Sequence, residues 1–237
     1  MKPRQPARPF VTVNFAITWD GRVSTRNYTP ADFTSPRDKR RLSEIRATCD
    51  AVLVGASTLA ADRMTMGLSD PALRAGRVGK KQSAYPLRII VSNSGRLSPA
   101  LRAFEKNFSP ILIFTTTKMP ARIRAALAEK TDLWLHESAT VNLPAMLATL
   151  RAEYRVKRLV CEGGPRLFRA MLAENLVDEI HLTLAPRIFG GRAAPTLTGL
   201  PGNFLPHSTR CTLREMKVVA GECFLRYRVI SSAQPLS

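Results

Sequence analysis

The feature that most constrains this chain is its alternation of short apolar runs with helical patterns. Phe10 to Ile17, Ala51 to Val54, Leu87 to Val91, Ile111 to Thr115, Leu133 to Leu135 and Arg158 to Cys161 read as strands. Between them, Pro36 to Ala47, Pro120 to Lys130, Leu143 to Tyr154 and Pro165 to Asn175 carry apolar residues at helical spacing, with Ser35 as N-cap and Pro36 at the first helical position. Strands that alternate with helices give an α/β domain with a largely parallel sheet. Asp178 to Leu184 adds a strand. Thr212 to Val219 and Glu222 to Ile230 form a hairpin about Ala220 and Gly221, so the sheet is mixed with an antiparallel edge. Residues 62 to 86, with Gly67, Pro71, Gly76, Gly79, Lys80 and Lys81, read as one long loop.

A chain of 237 residues suits one domain, 1–237, with its core from about residue 10 to 230. No apolar run reaches the length of a membrane span, and the basic start lacks a cleavage site, so a soluble, cytoplasmic protein is expected. Cys49, Cys161, Cys211 and Cys223 are scattered without metal or redox spacing, and neither a disulfide nor a metal is expected. His136, His181 and His207 fall in no nucleophile or metal motif. A chain without a visible nucleophile often takes its chemistry from a cofactor.

The formal charge of +18 attracts polyanions. The basic residues are dispersed, without an aromatic-basic ribonucleoprotein motif, which argues against nucleic acid. Phosphorylated small molecules suit the same field.

Three strand ends stand out. CEGGPRLFRAML, residues 161 to 172, ends a strand in Glu162, Gly163 and Gly164 before an amphipathic helix. Such a turn lets backbone amides approach a phosphate; the plainer reading is a tight turn needing positive φ. VLVGASTLAAD, residues 52 to 62, ends in Gly55, with Thr58 and Asp62 one helical turn apart; the plainer reading is a capped short helix. RIIVSNSGR, residues 88 to 96, ends in Ser92, Asn93 and Ser94, with Arg96 nearby, groups that suit a nucleotide ribose or 2′-phosphate or simply a polar turn. Open α/β sheets bind ligands outside the carboxyl ends of their strands.

NFAITWDGRVST, LSEIRATCDAVLVGASTLAAD, LVCEGGPRLFRAML and LVDEIHLTLAPRIFGGRAAPT, taken in order, resemble the pyrimidine reductases of riboflavin biosynthesis, which share the dihydrofolate reductase-like fold. The resemblance implies an NADPH-dependent reductase that converts a ribosylamino-pyrimidine 5′-phosphate to its ribitylamino product. It implies cofactor contacts at Gly55, Thr58, Asp62, Ser92, Asn93, Gly163, Gly164, Pro165, Arg166, Leu167 and Phe168, and substrate contacts at Asn14, Arg46 and Glu162. Glu162 is also the best candidate proton donor, and a homodimer is implied.

Asparagine at position 14 resembles the archaeal and fungal forms; its donor and acceptor suit an amino group and hence the 2,5-diamino substrate. The chain has no zinc-deaminase pattern, which implies the reductase alone. It lacks the family's Asp-Asp-Pro-x-Leu-Thr-x-Arg run after Asp62, so the phosphate-binding cation is open among Arg63, Arg74, Lys80 and Lys81. The alternatives are the deaminated uracil substrate, another dihydrofolate reductase-like NADPH reductase, or a basic nucleic-acid-binding protein.

Overall fold

A computed structural model describes residues 8–25, 33–199 and 205–230. Strand β1 (Phe10–Thr18) leads to α1 (Pro36–Thr48), β2 (Ala51–Gly55), the short α2 (Ala56–Ala61) and α3 (Pro71–Gly79). There follow β3 (Leu87–Ser92), α4 (Arg102–Glu105), β4 (Ile111–Thr116), α5 (Ala121–Ala128) and β5 (Asp132–His136). The chain ends with α6 (Leu143–Ala152), β6 (Arg158–Cys161), α7 (Pro165–Ala173), β7 (Glu179–Ala185), β8 (Arg210–Val219) and β9 (Glu222–Ile230).

The described strands form one sheet in the order β5-β4-β3-β2-β6-β1-β7-β9-β8. Every pairing from β5 to β7 is parallel, whereas β7–β9 and β8–β9 are antiparallel. This is the expected α/β architecture, and its hairpin turns at Ala220 and Gly221, both at positive φ. The chain steps outward from β2 to β5, then returns to insert β6 between β2 and β1. In open α/β sheets the ligand crevice lies outside the carboxyl ends of the strands at such a reversal, which here means the ends of β2, β6 and β1.

The two faces of the sheet are covered separately. Val11, Val13, Phe15, Leu159 and Cys161 pack under α6 and α7 against Met146, Leu150, Phe168 and Met171. Val52, Val54, Ile90 and Val160 face Ile45 of α1, Cys49 just beyond its end and Leu59 of α2. The strict alternation in β6 therefore feeds both cores.

The start of α1 is held twice. Ser35 accepts from the Asp38 amide at 3.3 Å, as an N-cap does, while the buried Glu222 of β9 accepts from the Ser35 amide at 2.8 Å and from its hydroxyl. This latch ties α1 to the sheet and sets where its last turn, bearing Arg46, comes to lie.

The expected loop over residues 62 to 86 is corrected by α3. Asp70 accepts from the Ala72 amide at 2.8 Å, and Pro71 occupies the first turn. Gly76 and Gly79 suggested a loop, but the buried Arg77 holds the helix by donating to the carbonyls of Ala47 and Cys49 at 3.2 and 2.5 Å. Tertiary bonds of this kind outweigh two unfavourable glycines, each worth about 1 kcal/mol. Helices α1, α5, α6 and α7 begin and end within a few residues of expectation, whereas the one-turn α4 has no counterpart among the expected helices.

Candidate active site

The β6–α7 turn is built by close packing against the β2–α2 turn. The Glu162 amide donates to Leu53 at 2.9 Å, and the Gly55 amide donates to the Gly163 carbonyl at 2.6 Å. Gly163 has φ +91°, and a Cβ there would lie 2.9 Å from the Phe15 ring. A Cβ on Gly164 would strike the Thr58 hydroxyl, and one on Gly55 would lie 3.5 Å from the Gly164 nitrogen. Gly163→Ala is accordingly expected to cost about 1–3 kcal/mol through strain and overpacking, read as a lower urea midpoint. An unchanged midpoint would show that Phe15 moves aside freely.

Gly164 is the N-cap of α7 and gives no side-chain cap, and Pro165 occupies the first turn. Phe168, Met171 and Leu172 are buried against the sheet, with the Phe168 ring 5.2 Å from that of Phe15. The helix start therefore faces the crevice with no side-chain cap, and Thr58 stands against Gly164. An uncapped helix start flanked by glycines can receive an anion through backbone amides.

Arg46 and Glu162, 116 residues apart, meet at this crevice. Arg46 Nε donates to Glu162 Oε1 at 2.5 Å and Nη2 donates to Oε2 at 2.6 Å, while Nη1 donates to the Gly67 carbonyl at 2.8 Å. Both residues are buried. Burial alone would lower the Arg46 pKa, but the facing carboxylate outweighs this and leaves it above its ordinary value. Arg46 is thus neither a solvated helix charge nor a free anion receptor. It joins α1, the β6–α7 turn and the segment after α2. Glu162 accepts at both oxygens, and each keeps a further lone pair for a ligand.

Val13 pairs with Cys161, so Asn14 lies level with Glu162 one residue beyond the last pair. Asn14 is half-buried and has no side-chain hydrogen bond among the described residues. Asp62 ends α2, its amide donating to the Thr58 carbonyl at 2.9 Å. It is open to solvent on one side, yet crowding by protein raises its carboxyl pKa, and the Glu162 charge adds to the shift.

Ser92 and Asn93 first serve their own turn. Ser92 Oγ accepts from the Gly95 amide at 3.1 Å, and Asn93 Oδ1 accepts from the Val141 amide at 2.9 Å. Of the four candidate phosphate cations, Arg74 donates to the carbonyls of Leu68 and Ser69 at 2.8 and 2.7 Å. Lys80 and Lys81 close α3 beside Gln82, which donates to Asp50 at 3.1 Å where β2 begins, at the wrong end of the sheet for the crevice. Arg63 directly follows Asp62 at the crevice and is exposed. His181 is bound to Glu179 at 2.9 Å, and no three His, Cys, Asp or Glu among the described residues are grouped to hold a metal.

Fold and site together define an open α/β protein that sets a glycine turn and a buried ion pair at the reversal of its strand order. The chain belongs to the RibD C-terminal domain family, whose pattern matches residues 9–224. It is 30% identical over 223 residues to the 2,5-diamino-6-ribosylamino-4(3H)-pyrimidinone 5′-phosphate reductase of Methanothermobacter thermautotrophicus, covering 94% of this chain and 99% of that protein. It is 28% identical to the riboflavin biosynthesis protein RibD of Chlamydia pneumoniae, covering 89% of this chain but 54% of that one. A solved pyrimidine reductase-like protein from Corynebacterium diphtheriae shares the fold, with a TM-score of 0.83 at 22% identity over 94% of this chain and 93% of that one.

Proposed function

We propose that this protein is an oxidoreductase of riboflavin biosynthesis that uses NADPH to reduce a 2,5-diamino-6-ribosylamino-pyrimidinone 5′-phosphate at its sugar. The observation that carries the reading is the convergence of Glu162, Asn14 and the uncapped start of α7 on one crevice. The near full-length match to an archaeal reductase supports it. The glycine cradle, which Cβ atoms would fill, and a helix start without a side-chain cap fit a dinucleotide pyrophosphate. When bound, the nicotinamide supplies hydride, which goes to C1′ of the opened sugar.

The residues of the chain divide the remaining work. Gly163, Gly164, Pro165, Arg166, Leu167 and Phe168 would hold the pyrophosphate, with Gly55, Thr58 and Asp62 contributing from the neighbouring turn, and Ser92 and Asn93 would contact the adenosine ribose. Asn14 and the free lone pairs of Glu162 orient the pyrimidine, and Asn14 can meet an amino group as well as a carbonyl. Arg46 keeps Glu162 in place and in the role of acceptor. The proton that accompanies the hydride is then drawn from another group while that pair is intact.

The reading includes a cytoplasmic homodimer. No helix among the described residues is long and apolar enough to cross a membrane. Edge strand β8 exposes Leu213, Met216 and Val218, which a second copy would cover.

The test is NADPH oxidation with the diamino and the deaminated ribosylamino-pyrimidine phosphates. Faster turnover of the diamino compound is expected. Turnover of neither, despite tight NADPH binding, would end the pathway assignment, and salt-sensitive duplex binding without NADPH binding would favour a nucleic-acid protein.

A further inference from the structure

We infer that the groove between α1 and the adjoining face of β7, β9 and β8 is a second binding site, for a phosphorylated small molecule of up to nucleotide size. It lies apart from the crevice, whatever the crevice binds, and takes its charge from Arg37, Arg41, Arg158, Lys217 and Arg226.

The groove encloses about 480 Å³, a volume in the range of small-molecule sites. Its walls follow from local geometry. Arg37, Arg41, Glu44 and Thr48 recur at helical spacing and line the groove from one side of α1. Arg46 is two residues from both Glu44 and Thr48, about 200° round the helix, and points the other way, to Glu162. Helix α1 is therefore a partition, with the buried ion pair on one side and the groove on the other.

The floor is sheet. Thr12 pairs with Glu179, His181 with Arg226, and Arg226 and Phe224 with Glu215 and Lys217, so these side chains project to one face. Met216 and Val218 pair with Leu225 and Cys223 and project to the opposite face. A second copy seated on them and a ligand in the groove would occupy different sides of the hairpin.

Five cations face three carboxylates in this lining, and each carboxylate is already held. Glu44 lies 3.2 Å from Arg40 and 3.8 Å from Arg37. The buried Glu179 lies 2.9 Å from His181 and 3.6 Å from Arg226, and Glu215 lies 2.7 Å from Lys217 and 3.2 Å from Arg226. Hydrogen bonds from His181 and Lys217 keep these two carboxyls below their ordinary pKa. The acids thus fix the cations in place without cancelling them. Arg37 and Lys217 remain 52% and 68% exposed at the rim, with donors to spare. Arg158 and Arg228 each set a guanidinium 4.8 Å from the Phe10 ring, and neither forms an ion pair among the described residues. Excess guanidinium and ammonium charge beside the apolar Ile45 and Phe224 suits a phosphate ester and disfavours a cationic ligand.

The probe is inorganic pyrophosphate, titrated into the full chain with NADPH at saturation and again without it. Binding is followed by calorimetry and by the imidazole NMR signals of the three histidines, His136, His181 and His207. The parent is expected to bind under both conditions, with the His181 signal moving and the other two still. Arg37→Ala combined with Lys217→Ala is expected to weaken that binding about tenfold or more and to leave NADPH affinity unchanged. Arg102→Ala combined with Lys106→Ala, at exposed positions in and after α4, removes the same charge and should change neither. Binding that leaves the His181 signal unmoved would belong to the crevice and would overturn the inference. So would a groove variant that binds as the parent does, or a control pair that weakens binding equally, since the net charge alone would then be responsible.

Discussion

Arg46→Ala is expected to lower stability by about 3–5 kcal/mol, measured by urea unfolding at neutral pH. The magnitude follows from what the substitution leaves behind. Glu162 is buried and accepts from Arg46 at both oxygens, at 2.5 and 2.6 Å. Without the guanidinium, a carboxylate stays in a site from which water is largely excluded. The Gly67 carbonyl also loses its donor. The pair itself need not be a net gain over apolar side chains, because desolvation of both charges offsets their attraction. The double variant Arg46→Met, Glu162→Leu is therefore expected to recover most of the stability while remaining inactive. A single variant as stable as the parent would mean that the carboxylate finds solvent or another partner, and that the pair does not organise the crevice.

Glu162→Gln is expected to reduce turnover by about 100-fold or more, with NADPH affinity changed by no more than about threefold. The amide keeps one acceptor oxygen but presents an N–H donor to Arg46 in place of the second, so one of the two bonds from Arg46 is lost. The acceptor capacity left for the pyrimidine beside Asn14 falls with it, because the remaining oxygen is the one that Arg46 engages. The glycine turn keeps its own bonds, since the Glu162 amide still donates to Leu53 and Gly55 still donates to Gly163. Those bonds are the reason for expecting the cofactor turn to survive. Unfolding measured in parallel separates loss of the site from loss of the fold. Turnover equal to that of the parent would remove Glu162 from the substrate site.

Much of the fold is legible in local patterns. Strands β2, β3 and β4 are short apolar runs buried on both faces, and the Ser35-Pro36 pair marks the start of α1 as its cap geometry bears out. The hairpin turn at Ala220 and Gly221 follows from the need for positive φ. Helix α3 is masked in the sequence although Asp70 and Pro71 carry the same kind of start signal as Ser35 and Pro36 of α1. Its glycines lowered its propensity, and the bonds from Arg77 that restore it reach the end of α1, some thirty residues away.

The site divides along the same line. Strand ends rich in glycine and small polar residues are visible as sequence, because a residue's allowed φ and its bulk are local properties. Gly163 is a case in point, with φ +91° and no room for a Cβ. Which charges face each other is not a local property. Arg46 in a helix and Glu162 after a strand each look available to a ligand when read singly, and only the insertion of β6 between β2 and β1 brings them together. The sequence by itself determined the alternating α/β plan and the glycine turns, through periodicity and backbone sterics. Only the tertiary structure decided that Arg46 and Glu162 are partners, that Lys80 and Lys81 lie far from the crevice, and that Arg37, Arg158 and Lys217 line one groove. Those relations depend on strand order, which brings together residues that chain separation alone cannot relate.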